Sequence, residues 1–176
     1  MEFDFLVPID NEVIDYKNHL SSQHIGGVMA LHTDDAFPDL SEVKIALVGV
    51  LENRGDEGVA TVVDLTSVRK SLYGLFMGNW KMGIADLGDI LAGNSTMDTY
   101  FAVKKVVASL IKKGIVPIVI GGSQDLTYAL YRAYDELEQM VNLVAIDNKF
   151  DFGKETDRLS STSYLTKMVI HSPNNL

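Results

Sequence analysis

The chain has 176 residues, one domain's worth and long enough to bury a substantial core. Its formal charge of -9, with lysines and arginines scattered, excludes nucleic acid and anionic membranes as partners, since phosphate binding needs clustered cations. The lack of cysteine excludes disulfide frameworks, thiolate nucleophiles and zinc–thiolate sites, and it fits the cytoplasm.

Hydrophobic residues reach 47% and mean hydropathy +0.10. No run approaches the roughly 18 apolar residues of a membrane span, so the excess reads as buried parallel strands or a partner surface. Met1–Pro8 lacks a basic n-region and a cleavage site, so no signal peptide is expected. Residues 1–43 are the irregular part, with a short strand expected at Phe3–Val7 and a short helix over Asn11–His19. Gly26–Gly27 and Thr33–Pro38 read as loop.

From Lys44 the pattern becomes regular. Lys44–Val50 is a buried strand, followed by a polar loop over Glu52–Gly58 and a helix to about Phe76. Val68, Leu72 and Leu75 would form that helix's apolar face. Gly83–Asp89 is a second strand running into a turn. Ser95 and Asp98 have capping-box spacing ahead of an apolar stripe of Tyr100, Val103, Val107, Leu110 and Ile111, and Gly114 supplies the stop. A strand at 115–120 contains Pro117, which cannot donate to a ladder and argues against a central position. Ser123 is placed to cap a helix running to about Gln139. Val141–Ile146 is the next strand, and Tyr164–Ile170 a short helix or strand. Strand–helix alternation of this kind implies a parallel sheet covered on both faces. The chain ends at His171–Leu176 with neither a cap nor a final strand, so it reads as a small protein or the front of a longer one.

Two strand ends carry polar residues. Asp147, Lys149 and Asp151 share one side of an extended segment. Two carboxylates about 4 Å apart without a cation would repel by about 4 kcal/mol at an effective dielectric of 20. A metal would relieve that, and so would Lys149; on these residues alone a loop ion pair is as good a reading. An EF-hand is excluded, because Phe152 stands where glycine is needed and Arg158 where the bidentate glutamate belongs. Gly121–Gly122 resembles a phosphate-cradling turn, but GxGxxG and GxxxxGK[ST] are both missing, so a tight strand-to-helix turn suffices. His19, His24, His32 and His171 show no HExxH spacing and read as surface or packing residues. No GxSxG elbow is present.

In order along the chain, Lys44–Gly55, Val68-Arg69, Ala85–Asp89, Ile118–Asp125 and Val144–Asp151 together resemble the ureohydrolase family of arginase, agmatinase and formimidoylglutamase, with the last two segments most similar to formimidoylglutamase-like members. The resemblance covers roughly residues 44–153. It implies a three-layer α/β/α fold with a mainly parallel sheet, of which 1–176 would be one domain forming the N-terminal portion. It also implies a pair of Mn²⁺ ions held by two histidines and four aspartates, whose bridging hydroxide attacks an amidine carbon. By the same resemblance Asp147 and Asp151 retain two metal-ligand positions, while Gln124 and Lys149 stand where the two histidines should be. Ser123 replaces the aspartate that precedes the first of those histidines, and the remaining two of the four ligand aspartates belong to a later S-x-D-x-D motif that this sequence does not contain.

An amide oxygen is a poorer ligand than imidazole, and an ammonium is none. The expected function is therefore a ureohydrolase-like domain with a degenerate dinuclear site, non-catalytic in isolation, with Lys149 holding Asp147 and Asp151 together in place of the metal. The alternatives are a Mn-dependent amidine C–N hydrolase of formimidoylglutamate, arginine or agmatine type in a longer chain, and an oligomerisation or interaction module. Self-association is the expected partnership, with a small amidine substrate only if the site works.

Overall fold

The computed structural model describes residues 3–56 and 63–171. Strand β3 (Val43–Leu51) is buried without a break from Ala46 through Val50, which requires cover on both faces of a sheet, and it is the central strand. It pairs in parallel with β4 (Gly83–Leu91) on one side and β5 (Val116–Ile120) on the other. The far edge of β4 carries two short strands: β2 (Ala30–Leu31), parallel, and β1 (Leu6–Val7), antiparallel. The sheet is mixed but mainly parallel.

Ala46, Val48 and Val50 point to one face, against Val103, Val107 and Leu110 of α4 (Thr96–Lys112) and Leu126, Ala129 and Ala133 of α5 (Leu126–Glu136). Leu47 points to the other, against Val13 of α1 (Asn11–Asn18), Met29 and Tyr73 of α3 (Thr66–Tyr73). The expected three-layer α/β/α arrangement is what the chain adopts. A last helix, α6 (Tyr164–His171), packs Tyr164 and Met168 against Tyr131 of α5. Among the described residues no helix is long and apolar enough to cross a membrane.

Helix α4 starts as its sequence requires. Ser95 Oγ accepts from the Asp98 N–H, and the Asp98 carboxylate accepts from the Ser95 N–H, so aspartate completes the capping box in place of glutamate. Gly114 closes the helix at φ +71°. β5 lies at the sheet's edge among the described residues, where Pro117 costs no rung.

Five expectations are corrected. Gly26–Gly27 belong to a one-turn helix, α2 (Ile25–Val28), because Gly26 packs directly on Tyr73, where a Cβ would come within 2.6 Å. Gly83–Asp89 does not end in a turn. The strand runs on to Leu91, and Gly88 at φ +84° absorbs a register slip between Leu47 and Gly49 of β3 where a Cβ would strike the Val7 carbonyl. Helix α3 buries Leu65, Arg69 and Tyr73, leaving Val68 and Leu75 exposed, because Arg69 is drawn inward by buried carboxylates. Ser123 is not the cap of α5: Asp125 precedes the helix, while the Ser123 N–H donates to the Glu52 carbonyl at 2.9 Å. Finally, Val141–Ile146 joins no ladder and lies largely exposed, since no strand beside it supplies the pairing a buried strand needs. Gly58 of the expected polar loop, the start of the following helix, and Ser172–Leu176 lie outside the described residues.

Candidate functional site

The carboxyl ends of parallel strands are where α/β sheets bind ligands. β3 delivers Glu52 there, almost fully buried. Its carboxylate accepts from the Arg54 N–H and Nε, both at 2.9 Å, and from Thr99 Oγ1 at 2.8 Å. Burial pushes the Glu52 pKa up, but the Arg54 and Thr99 hydrogen bonds outweigh it and hold the carboxyl below its ordinary range. Arg54 also donates to the carbonyls of Gly93 and Asn94, fastening the loop after β4 to the end of β3.

β5 delivers the second group. Gly121 and Gly122, both at positive φ, turn the chain from strand to helix, which is the tight-turn role the pair suggests in sequence. Asp125 then sits fully buried, accepting from Tyr100 Oη and from Ser161 Oγ at 3.3 Å. Burial, with Asp125 beside it, drives the Tyr100 phenol well above its ordinary range.

The third group follows the unpaired segment. Gln124 Nε2 donates to Asp147 Oδ2 at 2.6 Å, and the Asn148 N–H donates to Asp147 Oδ1 at 2.6 Å. Asp151 is 3% exposed, and its Oδ2 is buried with no hydrogen-bond partner. Burial and then the neighbouring Asp147 carboxylate push the Asp151 pKa up. Desolvation acts on Asp147 in the same sense but is outweighed by bonds from Asn148, Asp151 and Gln124, so its pKa falls. Of the two carboxyls, Asp151 is thus the weaker acid. Lys149 is exposed and eases Asp151 through space; the group that touches Asp147 is Gln124. Cavities of about 220 and 360 Å³ flank the segment, and both are walled by Asp147 and Tyr164.

Four sequence-predicted positions thus meet in part: Gln124, Asp147 and Asp151 converge, while Lys149 points to solvent. The histidines are engaged elsewhere. His24 stacks on Phe76, His32 Nδ1 meets the Leu87 carbonyl at 2.9 Å, and His171 meets Tyr128 Oη at 2.9 Å. Among the described residues no group of three or more His, Cys, Asp or Glu is arranged to hold a metal.

Sequence reasoning misses two arrangements. One is the Tyr100–Asp125–Ser161 chain, whose members no local pattern links. The other is a buried ion network below the site: Arg69 bonds Asp86 through Nε at 2.8 Å, pairs with Asp89 through Nη1 at 2.8 Å and donates to the Gly88 carbonyl, and Tyr73 Oη donates to Asp86 at 2.8 Å. The order of Arg69, Asp86 and Asp89 among the recognised motifs was the one signal for it.

The Arginase family model matches residues 61–174 of this chain. No curated protein sequence matches it. Among solved structures, Trypanosoma cruzi formiminoglutamase with Mn²⁺ superposes with a TM-score of 0.68 at 17% identity, covering 83% of this chain and 52% of that one. Formimidoylglutamase from Bacillus subtilis subsp. subtilis str. 168 gives 0.64 at 14% identity, covering 92% and 56%. The agmatine ureohydrolase of Thermoplasma volcanium gives 0.62 at 20% identity, covering 89% and 53%. This chain spans about half the length of the solved structures it matches.

Proposed function

Because the chain belongs to the arginase family, we propose that it is a ureohydrolase-like domain whose dinuclear metal site has been replaced by a protein-only polar network, leaving it non-catalytic by itself. The observation that carries this reading is the 2.6 Å bond from Gln124 Nε2 to Asp147 Oδ2. At a family histidine position the chain has an amide whose nitrogen, a donor, faces the carboxylate; a cation there would need the oxygen side and would have to break the bond. The residues present do not fit two manganese ions. One open carboxylate oxygen on Asp151, one exposed aspartate and no imidazole make a donor set too small for the pair.

What these side chains can do without a metal is limited and definite. Gln124 orients Asp147, Asp147 accepts hydrogen bonds from two N–H donors, and Asp151 lies buried beside it as the weaker acid of the two. No group among them is placed to generate a nucleophile. The lack of cysteine supports a cytoplasmic setting for the domain, and self-association remains its proposed partnership.

A second reading rests on the unpartnered Asp151 Oδ2 and on the chain's matching about half of its solved relatives. In it, a longer polypeptide containing this sequence supplies the remaining ligands and hydrolyses an amidine C–N bond in a substrate of formimidoylglutamate, arginine or agmatine type. The two readings separate on a double variant. Gln124→His with Lys149→His restores imidazole at both positions and should raise Mn²⁺ affinity at least tenfold, roughly the scale on which ligand environments act. Unchanged affinity would show either that these positions do not correspond to the family's ligands or that the two aspartates missing from this sequence are indispensable.

A further inference from the structure

Helices α4 and α5 pack side by side, and a groove of about 210 Å³ opens between them. Two aromatic rings line it, Phe101 from α4 and Tyr128 from α5. Each ring has a cation beside it. Lys104 Nζ lies 5.7 Å from the Phe101 ring centre, and the Arg132 guanidinium 6.0 Å from that of Tyr128. Helical spacing makes the arrangement, since residues three or four apart share one side of a helix. Ala129 and Tyr100, both almost fully buried, complete the lining. Tyr100 gives its hydroxyl to the buried Asp125, so what it offers the groove is its ring. None of these residues belongs to the Gln124–Asp147–Asp151 cluster.

Charge singles the groove out. The chain carries -9 overall, yet among the described residues no Asp or Glu lines the groove, while Lys104 and Arg132 both do. Their counter-ions stand outside it and do not saturate them. Glu136 takes Lys104 at 2.7 Å and Lys105 at 2.9 Å, one carboxylate between two ammonium groups. Asp135 meets Arg132 at Nε, 3.3 Å away, so the two Nη atoms are the fork that Arg132 can offer another carboxylate. The rings are held in place beforehand: Tyr128 Oη meets His171 Nδ1 at 2.9 Å, and Phe5 packs edge-on against Phe101 at 6.0 Å. Fixed walls lower the ordering cost of binding.

We propose that this groove binds a small aromatic carboxylate, its ring against Phe101 and Tyr128 and its carboxylate on Lys104 and Arg132. Volume limits the ligand. The groove is smaller than the roughly 300 Å³ at which drug-sized sites begin, so one ring with a short acidic arm fills it.

The probe is 3-phenylpropionate, with 3-phenylpropan-1-ol as its neutral counterpart and acetate as its ringless one. Amide NMR titration of the full chain should show saturable shifts gathered on Phe101, Lys104, Tyr128 and Arg132, with affinity of about 1 mM. The acid should bind at least about fivefold tighter than the alcohol, the scale of one exposed ion pair, and acetate should give no saturable shift at those residues. Arg132→Gln, at a partly exposed position, should remove most of the acid's advantage and change the alcohol's affinity by less than about twofold. An acid-to-alcohol ratio below fivefold, saturable acetate binding, shifts centred elsewhere, or an Arg132→Gln chain that keeps the full ratio would overturn the proposal. Should that variant fail to fold, the comparison of acid, alcohol and acetate on the unaltered chain decides alone.

Discussion

Asp151 presents a buried carboxylate oxygen to no donor, and Asp147 beside it is served by two N–H groups. A buried acceptor left without a partner costs about 1–3 kcal/mol. Asp151→Asn supplies an N–H where that acceptor stands and removes a buried carboxyl that faces the like charge of Asp147. Urea denaturation at pH 7 should therefore show the variant more stable by about 1 kcal/mol. The same reasoning fixes the pH trend of this residue. A carboxyl whose folded pKa is raised stabilises the fold at low pH and loses that contribution as pH rises through the folded value, so the advantage of Asp151→Asn should shrink in acid. At this scale the motifs made the convergence of Gln124, Asp147 and Asp151 legible, because their order along the chain matched a known site. The Gln124–Asp147 bond was not legible, since sequence does not say which face of an amide turns towards a carboxylate.

Two elements owe their placement to charge rather than apolar pattern. In α3 the apolar spacing of Val68, Leu72 and Leu75 points the wrong way, because Arg69 satisfies Asp86 and Asp89 in the interior and sets the helix's rotation. Arg69→Met leaves Asp86 buried without its cation and should cost about 3–5 kcal/mol, measured by urea or thermal denaturation. α4 and α5 are clasped on their outer side by Glu136, which pairs with Lys104 at 2.7 Å and Lys105 at 2.9 Å. The Lys104 and then the Lys105 bond lower the Glu136 pKa from 4.5 to about 2. The unfolded chain takes up this proton near 4.5 and the folded chain only near 2, so the contribution is whole above 4.5 and lost as pH falls to 2. Glu136→Gln should flatten the pH dependence of stability in that window, and a slope equal to that of the unaltered chain would contradict the assignment. By contrast α4 was readable to its first residue: Ser95→Ala removes its cap and should cost about 1 kcal/mol. Where capping chemistry and period agree, the element was legible. Val141–Ile146 was not, because an apolar run reports a preference for strand while a strand also needs a neighbour to pair with.

Across the whole molecule the mainly parallel sheet, its two helical layers and the edge position of β5 follow from local signals that all point the same way. The proposed function holds that the site at the sheet's carboxyl end departs from its family at two ligand positions, Gln124 and Lys149, and everything functional in the account descends from that proposal. Calorimetric titration of the unaltered chain with Mn²⁺ near pH 7.5, followed by metal analysis of the dialysed protein, addresses it most directly. The account predicts no stoichiometric manganese and affinity no tighter than the roughly millimolar level of exposed carboxylates. One or two manganese ions per chain bound at micromolar affinity or tighter would contradict it.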